Sequence, residues 1–180
     1  MSKPENPRPV KLIMSAIYSD RRLWLEMVPA LEMEFGEIDY SSKEMTFGFT
    51  DYYGAEMGVE LYRQFLSFSR LISPEDLPRI KFYTNQLEEK ASVADKRKVN
   101  LDPGYISIDT LVLATGKPSP HRIYLRDGVW ADLHLIYQSG SFQPFSWTYP
   151  DYQSQALIEL FNRLREVLKV KLKTEEFKKC

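Results

Sequence analysis

The chain contains only two histidines, His121 and His134, and both fall near Asp132 in the sequence HRIYLRDGVWADLH. Two tight turns, at Asp127–Gly128 and Ser139–Gly140, would fold this region into antiparallel strands. The register that these turns set places His121 opposite His134 and leaves Asp132 on the same face. Two imidazoles and one carboxylate can bind zinc, iron, nickel or copper. The sequence therefore predicts a candidate metal site made of His121, Asp132 and His134.

The same face would also suit an organic ligand. Trp130 and Trp147 would lie beside the histidines and stack against a ring. Arg122, next to His121, would give an anionic group a charge-assisted hydrogen bond. A half-exposed sheet whose polar residues meet only water is the third interpretation. The spacing of the residues fits all three.

Another polar group surrounds the sequence NLDPGY at residues 100–105. Pro103 followed by Gly104 is typical of a type II turn, which would end a short strand over residues 98–101. Such a loop would carry Asp102 at the end of a strand, where loops often hold functional residues. Asp102 would then either brace the turn or extend its carboxylate into a cleft.

A hydrolase or transferase is the chemistry that these side chains would support. His121 would be the general base near neutral pH, and Asp102 would orient it or bind a metal. If Asp51, Asp102 and Asp132 converge, they would also suit Mg²⁺ together with a phosphate group. The catalytic candidates are therefore His121 and Asp102. The ligand-binding candidates are Asp51, Asn100, Tyr105, Arg122, Trp130, Trp147 and Tyr149.

The composition argues against several classes of protein. The 24 basic residues nearly balance the 25 acidic ones, so no overall field attracts nucleic acid or an anionic membrane. No P-loop, Rossmann, serine-hydrolase or zinc-protease motif occurs. No apolar run reaches the roughly 18 residues of a membrane span, and the first residues lack the apolar core of a signal peptide. Since Cys180 is the only cysteine, we expect a cytoplasmic protein without internal disulfides.

The hydrophobic pattern predicts a mixture of strands and helices. The predicted elements are a buried strand over 11–19, a helix from Arg21 to Phe35 between Asp20 and Gly36, strands over 37–50 and 61–71, a helix beginning at SPED (73–76), a strand over 98–101, a helix or strand over 107–115, a meander over 121–149 and a last helix capped by Asp151. This order predicts an α+β fold, a ferredoxin-like βαββαβ sandwich extended by a C-terminal three-stranded antiparallel meander and a final helix. Residues 1–180 would form a single domain, with a flexible tail over residues 1–10.

Four short sequences, TDYY, VNLDPGY, HRIYL and FQPFSWTYPDY, together resemble a prokaryotic family, the domain of unknown function DUF4416. The resemblance covers nearly the whole chain, from KLIMSAIYSD to the last helix. It implies no activity, substrate or fold, and it favours a site built from Asp102, His121 and Arg122. The positions that carry the resemblance are Asp51, Tyr52, Tyr53, Asn100, Asp102, Pro103, Gly104, Tyr105, His121, Arg122, Trp147, Tyr149, Pro150 and Asp151.

Three functional hypotheses follow. The first is a protein that binds a small anionic ligand on the face lined by aromatic, His, Asp and Arg side chains. The second is a hydrolase or transferase that uses Asp and His, with or without a metal. The third is an interaction module whose aromatic face contacts another protein, for which a homo-oligomer is one form. The residues identify no particular cofactor.

Overall fold

The apolar run near the start of the chain forms the central strand of a β-sheet. In the computed structural model, which describes residues 3–48, 54–58, 60–94 and 96–178, β1 (Val10–Tyr18) is buried along its whole length. It pairs antiparallel with a neighbour on each side. A strand covered on both faces needs apolar residues at most positions, and this is why the run does not alternate. The predicted buried strand is confirmed.

The remaining elements extend this centre into one sheet with helices on both sides. They are α1 (Arg21–Phe35), β2 (Ile38–Ser41), β3 (Met45–Phe47), α2 (Gly54–Met57), β4 (Leu61–Ile72), α3 (Leu77–Lys90), β5 (Val99–Ile106), β6 (Thr110–Thr115), β7 (Arg122–Arg126), β8 (Val129–Gln138), β9 (Ser141–Pro144) and α4 (Gln155–Lys178), with 3₁₀ turns at Pro74–Asp76 and Pro150–Gln153. Among the described residues, nine strands form an antiparallel sheet in the order β2-β4-β1-β5-β6-β8-β7, with β3 also on β4 and β9 on β8. The predicted α+β class is confirmed.

Two apolar cores lie on the two faces of the sheet. On one face, Leu12 and Met14 of β1 pack with Trp24 of α1 and Ile80 of α3. On the opposite face, Ile13 belongs to a cluster that includes the apolar side of α4. The described helices include none that is both long enough and apolar enough to cross a membrane.

The sheet opens between β5 and β6. In the described structure their pairing joins only Gly104–Ile106 to Leu111–Leu113. On the N-terminal side of Gly104, the backbone N–H of Leu101 donates to the carboxylate of Glu88 over 2.8 Å. The backbone carbonyl of Leu101 accepts from Nζ of Lys81, also over 2.8 Å. Both side chains come from α3 and are buried. Because buried backbone groups need partners, α3 takes the place of a neighbouring strand here.

The predicted type II turn at Pro103–Gly104 is wrong, because both residues lie inside β5. Proline has no N–H to donate to a ladder, and glycine lets two backbones approach closely. A Cβ at Gly104 would lie 2.5 Å from the carbonyl oxygen of Val112. The predicted strand over 98–101 therefore continues to Ile106 and carries Asp102 within the sheet, not on a loop.

We expect Gly104→Ala to lower the free energy of unfolding by about 1–3 kcal/mol, as overpacking does. The new methyl group would collide with a backbone oxygen, which cannot rotate away as a side chain would. Urea denaturation measures the loss. Gly116→Ala is the matched control, because a Cβ there meets nothing within 4 Å. An equal loss in both variants would contradict the steric explanation.

The predicted meander forms, but one register within it is wrong. Asp127 and Gly128 both have positive φ (54° and 75°), as do Ser139 and Gly140 (51° and 87°), so the two predicted tight turns are confirmed. Arg126 pairs with Val129 as expected, but an irregularity between Tyr124 and Arg126 then shifts the ladder. It brings Arg122 opposite Asp132, whereas the predicted register, with His121 opposite His134, would have brought Ile123 there. A bulge moves every later pair by one residue.

Four other local predictions need correction. The alternative of a helix over residues 107–115 is wrong, because β6 occupies Thr110–Thr115. The third strand of the meander ends at Pro144, not at Tyr149. Asp151 lies in the 3₁₀ turn and forms a buried ion pair with Arg63, so it does not cap α4. The predicted strand over 37–50 is represented by the two short strands β2 and β3.

Candidate functional site

A cleft of about 580 Å³ lies where β5 and β6 part, a volume typical of small-molecule sites. Its lining includes side chains from β5, β6, β8, α3 and the 3₁₀ turn at Pro150–Gln153. Four residues predicted from the sequence are among them: Asn100, Asp102, Asp132 and Tyr149. The opening in the sheet therefore brings together residues that are up to 49 positions apart in the sequence.

Among the described residues, the cleft lining contains four cationic and three anionic side chains. The cations are Arg63, Lys81, Arg97 and Lys117, and the carboxylates belong to Asp102, Asp132 and Asp151. Asp132 and Asp151 are buried, with 2% and 7% of their side chains exposed, and each lies against an arginine. Asp102 is 30% exposed, so its carboxylate is the one of the three that solvent reaches.

Asn100 connects Arg97 to Asp102. Its carbonyl oxygen accepts from Nη1 of Arg97 (3.0 Å), and its amide nitrogen donates to Oδ2 of Asp102 (2.7 Å). Both bonds together determine which way the carboxamide points. Glu56 holds Arg97 with two hydrogen bonds of 2.7 Å, and Glu88 adds a third of 3.0 Å. The bonds from Glu56 raise the pKa of Arg97, so this guanidinium is a fixed positive charge.

Asp132 is the centre of a second network, behind the cleft wall. Its Oδ2 accepts from Nε of Arg122 (2.9 Å) and lies 3.7 Å from Nε2 of His121. Its Oδ1 lies 3.5 Å from Nδ1 of His134. Burial alone would raise the pKa of Asp132, but the hydrogen bonds from His134 and Arg122 and the positive charge of Arg122 outweigh it and hold that pKa below its usual value.

Arg122 joins this network to the cleft wall. Its two terminal nitrogens donate to the carbonyl of Lys117 (2.9 Å) and to the hydroxyl of Tyr149 (3.1 Å). Burial raises the pKa of Tyr149, so the hydroxyl stays protonated near neutral pH. Arg122 therefore fixes two lining residues, Lys117 and Tyr149, from behind.

Comparison with known proteins identifies the family of this chain. A family model described as a domain of unknown function, DUF4416, matches residues 8–168. The chain belongs to the DUF4416 family. The resemblance seen in the sequence is thereby confirmed. No curated protein and no solved structure was found to match the chain.

In this DUF4416 protein, both ring nitrogens of His134 already have protein neighbours. Nε2 accepts from the backbone N–H of Tyr149 (3.1 Å), so Nδ1 carries the proton and faces Asp132. Among the described residues, no group of three His, Cys, Asp or Glu side chains has the geometry to hold a metal ion. The residues of the predicted metal set do meet around one carboxylate: Nδ1 of His134 lies 3.5 Å and Nε2 of His121 lies 3.7 Å from the oxygens of Asp132. Their role as metal ligands stays a prediction.

His121 lies at the surface side of the same network. Its ring stacks on that of Trp147 with centroids 5.1 Å apart, and Trp147 stacks in turn on Phe145 at 4.7 Å. The carboxylate in contact with His121 is that of Asp132, whereas Asp102 lies in the cleft. Among the described residues, the cleft lining includes neither His121 nor Arg122. The catalytic role of His121 and Asp102 stays a prediction.

The other aromatic candidates also lie away from the cleft lining that the structure describes. Trp147 is 37% exposed, and its indole nitrogen donates to the carbonyl of Leu133 (2.9 Å). Trp130 is half-buried against Tyr124. Tyr105 packs against the core on the α1 side of the sheet. Asp51 lies outside the described residues.

Sequence reasoning missed Arg63 and Lys81, although a signal for both exists. Arg63 stands between Leu61 and Phe65 on the inward side of an alternating strand, and Lys81 follows Ile80 on the apolar stripe of α3. A charged residue at a core position is unusual unless it is paired. Such positions deserve a functional hypothesis even without a motif.

Proposed function

We propose that this protein binds a small anionic ligand in the cleft between β5 and β6. The observation that supports it is the imbalance of reachable charge in the lining. Of its three carboxylates, Asp132 and Asp151 are buried against arginines. Arg97 is 29% exposed and Lys117 is exposed at the rim. Among the described lining residues, a ligand that enters therefore meets two cations that solvent reaches, Arg97 and Lys117, and one such carboxylate, Asp102.

The cationic groups are held in position before any ligand arrives. Glu56, Glu88 and Asn100 together restrain Arg97, and the carbonyl of Leu101 holds Nζ of Lys81. Side chains that are already ordered lose little entropy on binding, which favours affinity. Glu56 and Glu88 offset part of the charge of Arg97, and Lys117 is a second cation of the described lining.

Apolar groups complete the walls of the cleft. Ile17, Phe47, Leu113, Ala114 and Pro150 are part of its lining. Small-molecule sites usually combine apolar walls with oriented polar groups. The proposed ligand therefore has an anionic group and a compact apolar part. This proposal moves the site from the Trp130 and Trp147 face to the cleft.

We expect Lys117→Ala to weaken binding of an anion by about threefold to tenfold, the range between an exposed ion pair and a charged hydrogen bond. Thermal denaturation would first compare citrate, pyrophosphate and AMP with uncharged adenosine and cationic spermidine. Calorimetry would then give Kd for each anion that raises Tm. The loss of affinity on adding KCl should be smaller in the variant.

The matched control for this experiment is Lys173→Ala, on the exposed side of α4 and outside the cleft lining. It should bind each anion as the unmodified protein does. The proposal is wrong if no anion raises Tm, or if both lysine variants bind equally well.

Two finer features are proposals of the same kind. The antiparallel strand order β2-β4-β1-β5, with α1 and α3 on one face, supports a ferredoxin-like core that the meander and α4 extend. The single cysteine supports a cytoplasmic location. The hydrolase or transferase alternative is favoured by one contact, that between His121 and Asp132, and stays a prediction.

A further inference from the structure

We infer that the anionic ligand of this cleft also carries a hydroxyl or amino group, and that Asp102 recognises it. This inference rests on the proposed function and deepens it, because it names the class of ligand. It begins from the one carboxylate in the described cleft lining that a ligand can reach. The side chain of Asp102 is 30% exposed, against 2% for Asp132 and 7% for Asp151.

The two oxygens of Asp102 differ in their surroundings. Oδ2 accepts a hydrogen bond of 2.7 Å from the amide nitrogen of Asn100. Oδ1 lies 3.6 Å from Nζ of Lys81, too far for a strong hydrogen bond. Nζ of Lys81 donates instead to the carbonyl of Leu101 over 2.8 Å. Oδ1 therefore keeps acceptor capacity for a group in the cleft.

The surroundings hold Asp102 in this orientation. Asn100 is 4% exposed, and its carbonyl oxygen is occupied by Arg97 at 3.0 Å. Its amide nitrogen must therefore face Asp102. A positive guanidinium and an accepting carboxylate thus lie on either side of one buried carboxamide. A ligand that fits both needs an acceptor or anion close to a donor.

A carboxylate accepts hydrogen bonds and donates none. An anion without a donor would meet Asp102 with like charge and no proton between the oxygens, which is unfavourable. A hydroxyl or ammonium group next to the anionic group removes this conflict. A site built to bond such a donor discriminates strongly against the analogue that lacks it. Hydroxylated or amino-bearing carboxylates and phosphates form the class that satisfies both sides.

Matched pairs of anions test this inference. Calorimetry would compare L-malate and L-aspartate with succinate, and glycerol 3-phosphate with n-propyl phosphate. The members of a pair differ mainly in the donor. We expect the donor-bearing member of at least one pair to bind at least about tenfold more tightly, the effect of one hydrogen bond to a charged group. The malate and aspartate arms distinguish a hydroxyl from an amino group.

Asp102→Asn should abolish the preference within the pair that shows it. Asn100 would hold the new carbonyl oxygen, so the new amide nitrogen would face the cleft as a donor. Asp127→Asn is the control, because Asp127 is 75% exposed at a turn where asparagine is tolerated. Thermal denaturation would show whether each variant is folded. The matched pairs are compared in the unmodified protein, so that part of the test does not depend on whether a variant folds.

The outcomes separate the two proposals. If succinate and n-propyl phosphate bind as tightly as their partners, the inference about Asp102 is wrong, whereas the proposed anion site stands. A preference that survives in Asp102→Asn would also overturn the inference. If none of these anions binds, nor those named for the Lys117 experiment, the proposed function and this inference are both wrong.

Discussion

Replacing Arg63 by methionine is expected to lower the free energy of unfolding by about 3–5 kcal/mol, the cost of breaking a buried ion pair. Arg63 and Asp151 are both buried, and their charged groups are in contact. Nε of Arg63 also donates to the hydroxyl of Ser15 over 2.8 Å. Methionine would keep most of the apolar stem but leave the Asp151 carboxylate without its cation. Urea denaturation at pH 7 measures the loss.

The aromatic rings around Arg63 add to this expected loss. The guanidinium carbon lies 5.0 Å from the ring centroid of Phe47, 4.8 Å from that of Phe65 and 5.0 Å from that of Tyr152. Cation–π contacts of this kind are stronger when desolvated. The three rings and the ion pair thus join β3, β4 and the 3₁₀ turn at the cleft wall.

Two further variants separate the ion pair from general damage. Arg79→Met removes a half-exposed partner of Glu34 and should cost less than about 1 kcal/mol. The double variant Arg63→Met with Asp151→Asn should be more stable than Arg63→Met alone, because it leaves no unpaired buried charge. If the free energy of unfolding lost in the double variant equals the sum of the losses in Arg63→Met and Asp151→Asn, this account is contradicted.

Asp132→Asn is expected to lower the free energy of unfolding by about 3 kcal/mol at pH 7, again from a buried charge left unpaired. The side chains of Asp132 and Arg122 are only 2% and 9% exposed. Asparagine would leave the buried guanidinium of Arg122 without a negatively charged partner. His134 would lose its contact with a carboxylate. The 3₁₀ turn should loosen too, because His134 holds the N–H of Tyr149.

The effect of Asp132→Asn should depend on pH with a definite sign. The pKa of Asp132 is lowered in the folded protein, so its contribution to stability is complete above the ordinary carboxyl pKa of about 3.9. It is lost as the pH falls toward the lower folded pKa. Asparagine does not titrate, so the difference in unfolding free energy between the two proteins should stay constant from pH 7 to about 5 and shrink as the pH falls below about 4.

The control for this pH dependence is Asp109→Asn, at an exposed position. It should follow the unmodified protein at every pH. Asp39 also has a lowered pKa, but it titrates in both proteins and cancels in the comparison. A gap between Asp132→Asn and the unmodified protein that is equally large at pH 3 and pH 7 would refute the electrostatic explanation.

Local patterns were sufficient for most of the helices and strands. Asp20 accepts from the N–H groups of Arg22 and Leu23 at the start of α1, as the sequence predicted. Both tight turns of the meander also formed as predicted, because a positive φ at two successive residues suits Asp-Gly and Ser-Gly. Such features depend on a few neighbouring residues, which the sequence contains in full.

The candidate site was only partly predictable. Asn100, Asp102, Asp132 and Tyr149 were chosen from the sequence and line the cleft. The predicted register, with His121 opposite His134, was wrong, because a bulge near Leu125 shifts every pair that follows it. The residue types in this region do not predict the bulge. The face of the sheet that carries Arg122 therefore could not be read from alternation alone.

The amino-acid sequence by itself determined the α+β class, the buried central strand, both ends of α1 and the meander turns, all of which arise from local conformation and periodicity. The tertiary structure alone decided that DPG continues a strand and that β5 parts from β6 on the N-terminal side of Gly104. The reason is that Lys81 and Glu88, on a helix packed behind the sheet, satisfy the backbone of Leu101 in place of a neighbouring strand. The cleft exists because side chains of α3 replace a strand as the hydrogen-bond partners of Leu101. This long-range contact cannot be seen in a pattern of neighbouring residues.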